Sequence, residues 1–310
     1  MRRLVLLLRL VAAIALLAWV LNRLRWEAIA RFDWSQMKWS WLIAALGLGG
    51  ASLLGWAGRW WWFVRVYELR VPFPKLLRLT FFADFFKLYF LGPLGADGVR
   101  LLELSRDYPE KRGAIVGSLI LDHVGGFFGG VGLYLAFSGT AGLPEGVTFW
   151  LDGLLPWAAL LTFLGLGVIM EPPVQRIFAR MPGLNRLAHL ARPVFAGTFR
   201  HPWLFSGFAL SALSTASAFA AYWAAGRALG AQISLPQMLG IMPVVDLAAS
   251  VPVTISGLGV RENLLVELLG RRAGCDPVQA LAISLLGFAA IGLWGLLGGL
   301  AMIRRSCPEG

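Results

Sequence analysis

Long runs without a formal charge dominate the chain. Trp39–Gly58, Gly153–Met170, Pro202–Gly226 and Pro277–Ile303 contain no Asp, Glu, Lys or Arg; Leu4–Leu21 carries only Arg9, and Gly113–Ser138 only Asp122 beside His123. About 20 helical residues cross roughly 30 Å of hydrocarbon. The pattern therefore predicts six spanning helices, at about 4–21, 39–58, 113–138, 153–170, 202–226 and 277–303. Two further apolar stretches are broken. Residues 76–104 contain Arg78, Asp84, Lys87 and the Gly92-Pro93 step, and 236–269 contain Pro236, Pro243, Asp246, Pro252, Gly257 and Gly259. Both read as re-entrant broken helices, which dip into the membrane and return to the side they entered. Residues 171–201 spread five arginines among Ile177, Phe178, Leu184, Leu187, Leu190 and Phe195, the mark of an amphipathic segment on the inner leaflet. The expectation is an all-α integral membrane protein, one polytopic domain over 1–310.

Composition agrees with the bilayer as main solvent: 58% of residues are hydrophobic, 15% are charged, and mean hydropathy is +0.69. Arg2 and Arg3 resemble a signal-peptide start, but Leu4–Leu21 is long for one and no small-x-small site follows. It reads as a retained first helix.

The net charge of +11 raises nucleic acid as a partner, yet the basic residues sort by membrane side instead. Segments 1–3, 59–112, 171–202 and 304–310 hold 19 Lys/Arg, whereas 22–38, 139–152 and 227–276 hold 8. That bias predicts a cytoplasmic (inner) membrane protein with both termini in the cytoplasm, and anionic lipid head groups as partners of the basic surface. Trp60, Trp61 and Trp62 between Arg59 and Arg65 read as an interfacial anchor. Cys275 and Cys307 flank one span and suggest neither a metal pair nor a disulfide. No cofactor is expected.

The two broken stretches can be laid over one another. Asp84 precedes Arg100 by 16 residues and Asp246 precedes Arg261 by 15; each stretch has a proline, a glycine-rich turn, Gly-Val-Arg and a short Leu/Glu helix. Broken segments at matching positions in an inverted repeat point to a transport site. The turns would be Gly92, Pro93, Gly95 and Gly98 in one, Pro252, Gly257 and Gly259 in the other. Half-helices starting at Val99 and Val260 would then aim N–H groups into a cavity. Arg100 and Arg261 would lie in the first turn, where a cation disfavours the helix but suits a bound phosphate. The alternative is structural pairing, of Arg100 with Asp84 or Asp97 and of Arg261 with Asp246 or Glu262. Asn263 follows in the same block. Asp122 and His123 lie inside a span, where an ionisable group is costly; Asp122 could pair with Arg100 or join a proton relay, and His123 could face the cavity or be a packing residue. Gly125/Gly129 and Gly126/Gly130 form small-xxx-small pairs suited to helix packing.

Enzyme readings find little support: the chain has no P-loop, no His-x-x-x-His, no Asp-x-Asp and no Gly-x-Ser-x-Gly elbow. The blocks "GPLGADGVRLLEL", "SLILDHVGG", "PVTISGLGVREN" and "SLLGFAAIGLWGLLGGL" resemble the flippase-like family that includes the transmembrane region of lysylphosphatidylglycerol synthases. In those synthases this region is assigned to moving aminoacylated phospholipid between leaflets, and a separate C-terminal domain makes the lipid. The chain reaches Gly310 directly after its last span, so the resemblance implies the flippase region without the synthase domain, and leaves the lipid undefined. The reading is thus translocation of an anionic or phosphate-bearing lipid, held by Arg100 and Arg261 with Asp84, Asp122 and Asp246 in support. The alternative is an accessory subunit presenting lipid to a separate glycosyl- or aminoacyl-transferase; a membrane-embedded transferase ranks third. A homo-oligomer is compatible with the sequence.

Overall fold

The computed structural model describes residues 34–87, 92–170, 202–250 and 259–306. The predicted span 4–21, the amphipathic segment 171–201, Pro252, Gly257 and Cys307 lie outside the described residues. Within them the chain is all-α, with nine α-helices and no strand: α1 Trp39–Val66, α2 Phe73–Phe86, α3 Gly92–Asp107, α4 Arg112–Ala141, α5 Glu145–Met170, α6 Trp203–Ala228, α7 Leu235–Ser250, α8 Val260–Ala273 and α9 Pro277–Ser306.

Among the described residues, four segments are long and apolar enough to cross a membrane: Trp39–Val66, Pro109–Ala141, Trp203–Ala228 and Pro277–Gly299. They correspond to the predicted spans 39–58, 113–138, 202–226 and 277–303, and the chain is a multi-pass membrane protein. Several helix ends carry a recognisable signal. α4 ends at Gly142 and α8 at Gly274, both left-handed, the conformation glycine adopts most readily. α2 begins with Pro72 before it and Pro74 in its first turn, where the missing N–H has no intrahelical partner to lose.

α6 is the hub and packs against α1, α4, α7 and α9. Small residues let these helices approach. The Cβ position of Gly207 falls on the Phe63 ring and that of Gly287 on the Tyr222 ring. Indole and hydroxyl groups tie the same helices together: Trp294 Nε1 donates to the Leu46 carbonyl (2.9 Å) and Ser217 Oγ to the Leu48 carbonyl (2.9 Å).

The broken stretches form two helix pairs, α2 with α3 and α7 with α8. Each pair contributes to its own apolar core. Leu76, Leu79 and Leu104 pack with Trp60, Phe63 and Ile115; Met238, Ile241, Leu265 and Leu269 pack with Tyr134, Tyr222 and Ile283. The first helix of each pair also reaches across. α2 packs on α9, and α7 packs on α4.

The aromatic belt is not what the sequence suggested. Trp60 is fully buried and donates its indole N–H to Ser118 Oγ (3.2 Å). Trp61 lies under the Arg65 guanidinium, 3.5 Å from ring centroid to Cζ, and Trp62 stacks on Trp203 at 5.0 Å. At about 100° per residue, three consecutive tryptophans cannot share one face. α1 continues to Val66, so Arg59 and Trp60 sit nearly two turns inside the helix and turn inward.

Candidate functional site

Three helices bring three charges into one buried cluster. Arg59 of α1 donates its Nε–H to Asp122 Oδ1 of α4 (2.6 Å), and Arg100 of α3 donates from Nη1 to Asp122 Oδ2 (3.0 Å). All three side chains are at most 10% exposed. Sequence spacing had proposed Asp84 or Asp97 as the partner of Arg100; the partner is Asp122, one of the two roles considered for it. Arg59, read as part of a surface belt, is the second. One carboxylate between two guanidiniums leaves the cluster with one net positive charge, and Arg100 Nε makes no hydrogen bond. The Trp60 ring lies 4.8 Å from Arg100 Cζ, and its negative face adds to the hold on the cation. Arg59 has room because Gly126 faces it: a Cβ there would lie 3.3 Å from Nη1.

Asp97 and His123 meet at the side of this cluster, Oδ2 to Nε2 2.5 Å. The histidine side chain is 56% exposed. Together the two contacts fix α3 against α4, through Asp97 and Arg100 about one turn apart on α3 and the neighbouring Asp122 and His123 on α4.

The described part of the first break differs from expectation. α3 begins at Gly92, so Gly95 and Gly98 are helical and Arg100 is in the third turn rather than the first. Pro93 lies in the opening turn, where proline fits, and glycine within a helix costs about 1 kcal/mol without forbidding it. Residues 88–91, between α2 and α3, lie outside the described residues.

In the second break the expected geometry is present. α8 starts at Val260, Gly259 is its N-cap with φ +90°, and Arg261 is in the first turn. The Glu262 carboxylate accepts the Gly259 N–H through Oε2 and a hydrogen bond from Ser284 Oγ through Oε1 (3.3 Å). Asn263 donates its side-chain amide to the Gly259 carbonyl (2.6 Å). Both Glu262 and Asn263 are thus used in holding the cap. Arg261 is 9% exposed and lies over the Phe288 ring at 5.1 Å. Its Nε and Nη1 make no hydrogen bond, and it forms no ion pair among the described residues. The alternative, an ion pair with Asp246 or Glu262, is not made; Asp246, on α7, is exposed.

The shared Gly-Val-Arg therefore hides two backbone roles. Nothing lies within 4 Å of a Cβ at Gly98, whereas Gly259 is held at a left-handed φ. Gly259→Ala is expected to destabilise by about 1–2 kcal/mol and Gly98→Ala to stabilise by about 0.5–1 kcal/mol, measured by thermal unfolding in detergent. Equal effects at the two positions would contradict these assignments.

Asp84 is 4% exposed on α2, and its Oδ2 makes no hydrogen bond. No group of three or more metal-ligating side chains occurs among the described residues. Sequence reasoning missed Arg59, Ser118, Trp60, Ser284 and Phe288. The available signal was Arg59 itself, since a helix long enough to reach Val66 places it well inside.

No curated protein matches the chain. A family model described as "Lysylphosphatidylglycerol synthase TM region" matches residues 6–299, a span that contains both broken helix pairs and every charged side chain just described. With 294 of 310 residues inside that match (6 to 299 inclusive), the chain belongs to the lysylphosphatidylglycerol synthase transmembrane-region family.

Proposed function

We propose that the protein moves an anionic, phosphate-bearing lipid between the leaflets of the cytoplasmic membrane, its head group engaged by Arg100 and Arg261. Family membership supports a role with membrane lipid. The observation that carries the finer reading is Arg261, a buried guanidinium at a helix start with two nitrogens lacking an acceptor. Burying a cation without partners is costly. A phosphate supplies two oxygens that match the guanidinium fork, and the first turn of α8 adds N–H groups and dipole of the same sign. Arg100 offers a second point through its free Nε. Each arginine rests on an aromatic ring, Trp60 and Phe288.

The packing supports an inverted repeat. α2 lies on α9 and α7 on α4, so the first helix of each broken pair packs against the long helix that follows the other pair. This exchange is what two interlocked repeats around a shared site would produce. On this reading 76–104 enters from the cytoplasm and 236–269 from outside, with both termini cytoplasmic. The protein acts as a transporter rather than an enzyme, and Asp122 holds Arg100 when no lipid is bound.

Proteoliposomes carrying fluorescent phosphatidylglycerol test this reading. Wild-type protein should accelerate leaflet exchange over protein-free vesicles. Arg261→Ala should slow it about tenfold or more, and Arg261→Lys should fall between, since an ammonium cannot form the paired bonds. Full activity in Arg261→Ala sinks the head-group role. Wild-type protein no faster than empty vesicles for phosphatidylglycerol, cardiolipin and a polyprenyl phosphate sinks the proposal.

A further inference from the structure

Thr80 and Asp84 lie one turn apart on α2, and so on one face of it. Both are buried, at 0% and 4% exposed, and Thr80 Oγ1 and Asp84 Oδ2 have no hydrogen-bond partner. Polar atoms buried this way are rare, and each calls for a physical explanation, such as a role in chemistry or a bound water or ion. Two charges face Asp84: Lys87 from the end of α2 itself and Arg100 from α3. Among the described residues, α1 and α9 make these contacts with this part of α2. From α1, Trp56 lies beneath Lys87; from α9, Trp294, Gly298 and Gly299 lie against Phe81 and Phe85. Arg59 and Asp122 stand behind Arg100.

A metal cation does not suit this position. It would sit against Arg100 and Lys87, and oxygen-bound metal ions want about six ligands. A proton needs one oxygen. We propose that Asp84 Oδ2 is a proton-binding site coupled to the anion site at Arg100: Asp84 takes a proton when an anionic head group engages Arg100 and releases it when the head group leaves.

The inference rests on the reading that Arg100 engages a lipid anion. Its physics is like-charge repulsion. A phosphate brought to Arg100 raises the energy of an ionised Asp84 nearby, and the neutral carboxylic acid removes that repulsion. Coupling is reciprocal, so a protonated Asp84 strengthens anion binding by the same factor. The proton comes from water, bonds to Oδ2, and returns to water; no other bond changes. One lipid negative charge would then move with one proton, which supplies an energy source without any nucleotide.

The test is binding of dihexanoyl phosphatidylglycerol to the full chain in detergent, by calorimetry from about pH 5 to about pH 9. Wild-type affinity should weaken about tenfold or more with rising pH. Asp84→Asn should be flat, near the wild-type low-pH value. His123, hydrogen-bonded to Asp97 beside the cluster, is the control, and His123→Asn should keep the wild-type slope. A flat wild type, or a slope that persists in Asp84→Asn, overturns the inference while leaving lipid binding intact. Absence of wild-type binding at every pH overturns the transport reading as well. Infrared difference spectra cover the case in which Asp84→Asn does not fold. The C=O band of a protonated carboxyl should appear on lipid binding and move in Asp84→Glu; no band in wild type overturns the proton site.

Discussion

Asp122→Ala lowers stability by about 3–5 kcal/mol, read as a loss of thermal midpoint in detergent. The reason lies in the count of buried charge. With Asp122 present, one carboxylate answers two guanidiniums; without it, Arg59 and Arg100 face each other in the core with no acid between them. Both are at most 10% exposed, so water cannot replace the lost partner. Breaking a buried ion network by removing its shared member is far more costly than replacing the whole network with apolar residues. Two further variants separate this cause from simple loss of volume. Asp122→Asn keeps the shape and one hydrogen-bond acceptor but removes the charge and sets an amide N–H donor against one guanidinium, and should recover only a minor part of the loss. Arg59→Met combined with Asp122→Leu leaves one buried arginine rather than two and should be less harmful than Asp122→Ala alone. A stability loss under about 1 kcal/mol in Asp122→Ala would show that the three side chains are hydrated in the membrane and not a closed cluster.

The second large effect is expected at Gly129. α4 and α6 approach so closely there that a Cβ would lie 3.0 Å from the Ser211 carbonyl oxygen and 3.1 Å from its carbon. Those are backbone atoms of α6 and cannot rotate away. Gly129→Leu should therefore force the helices apart and cost about 2–3 kcal/mol. Gly130 is one residue on, and nothing lies within 4 Å of its Cβ position, so Gly130→Leu should be close to neutral. Because α4 also carries Asp122 and His123, the displaced helix should weaken lipid exchange as well as stability. Comparable losses at Gly129 and Gly130 would mean that intrinsic helix propensity, not close packing, sets both.

These two sites also show how far the linear pattern reaches. The sequence contains both small-xxx-small pairs, Gly125/Gly129 and Gly126/Gly130, and nothing in it separates them. The structure does. Gly125 and Gly129 face Ser211 on α6, Gly126 faces Arg59, and Gly130 faces open space. Likewise the charge-sidedness count treats Arg59 and Arg100 as surface charges, though both are in the core. With these two and the equally buried Arg261 left out, the count of basic residues goes from 19 against 8 to 17 against 7, so the bias that predicts sidedness remains in the sequence.

What the sequence determined by itself was whatever depends on neighbours along the chain. Uncharged runs about 20 residues long define spanning helices because the bilayer admits little else. Proline and charge interrupt two such runs, and Gly259 before Val-Arg-Glu marks a helix start because only glycine sits easily at φ +90° there. The tertiary structure decided the partners. Arg59 and Asp122 are 63 residues apart, Arg100 and Asp122 22, Asp97 and His123 26. Which of several acids meets a given arginine depends on how α1, α3 and α4 are rotated and offset against one another. That rotation is set by the glycines and aromatic side chains at their contacts, not by spacing in either stretch. Arg261 kept its expected place in the first turn because Gly259 sets that helix start locally, whereas Arg100 found its partner on another helix.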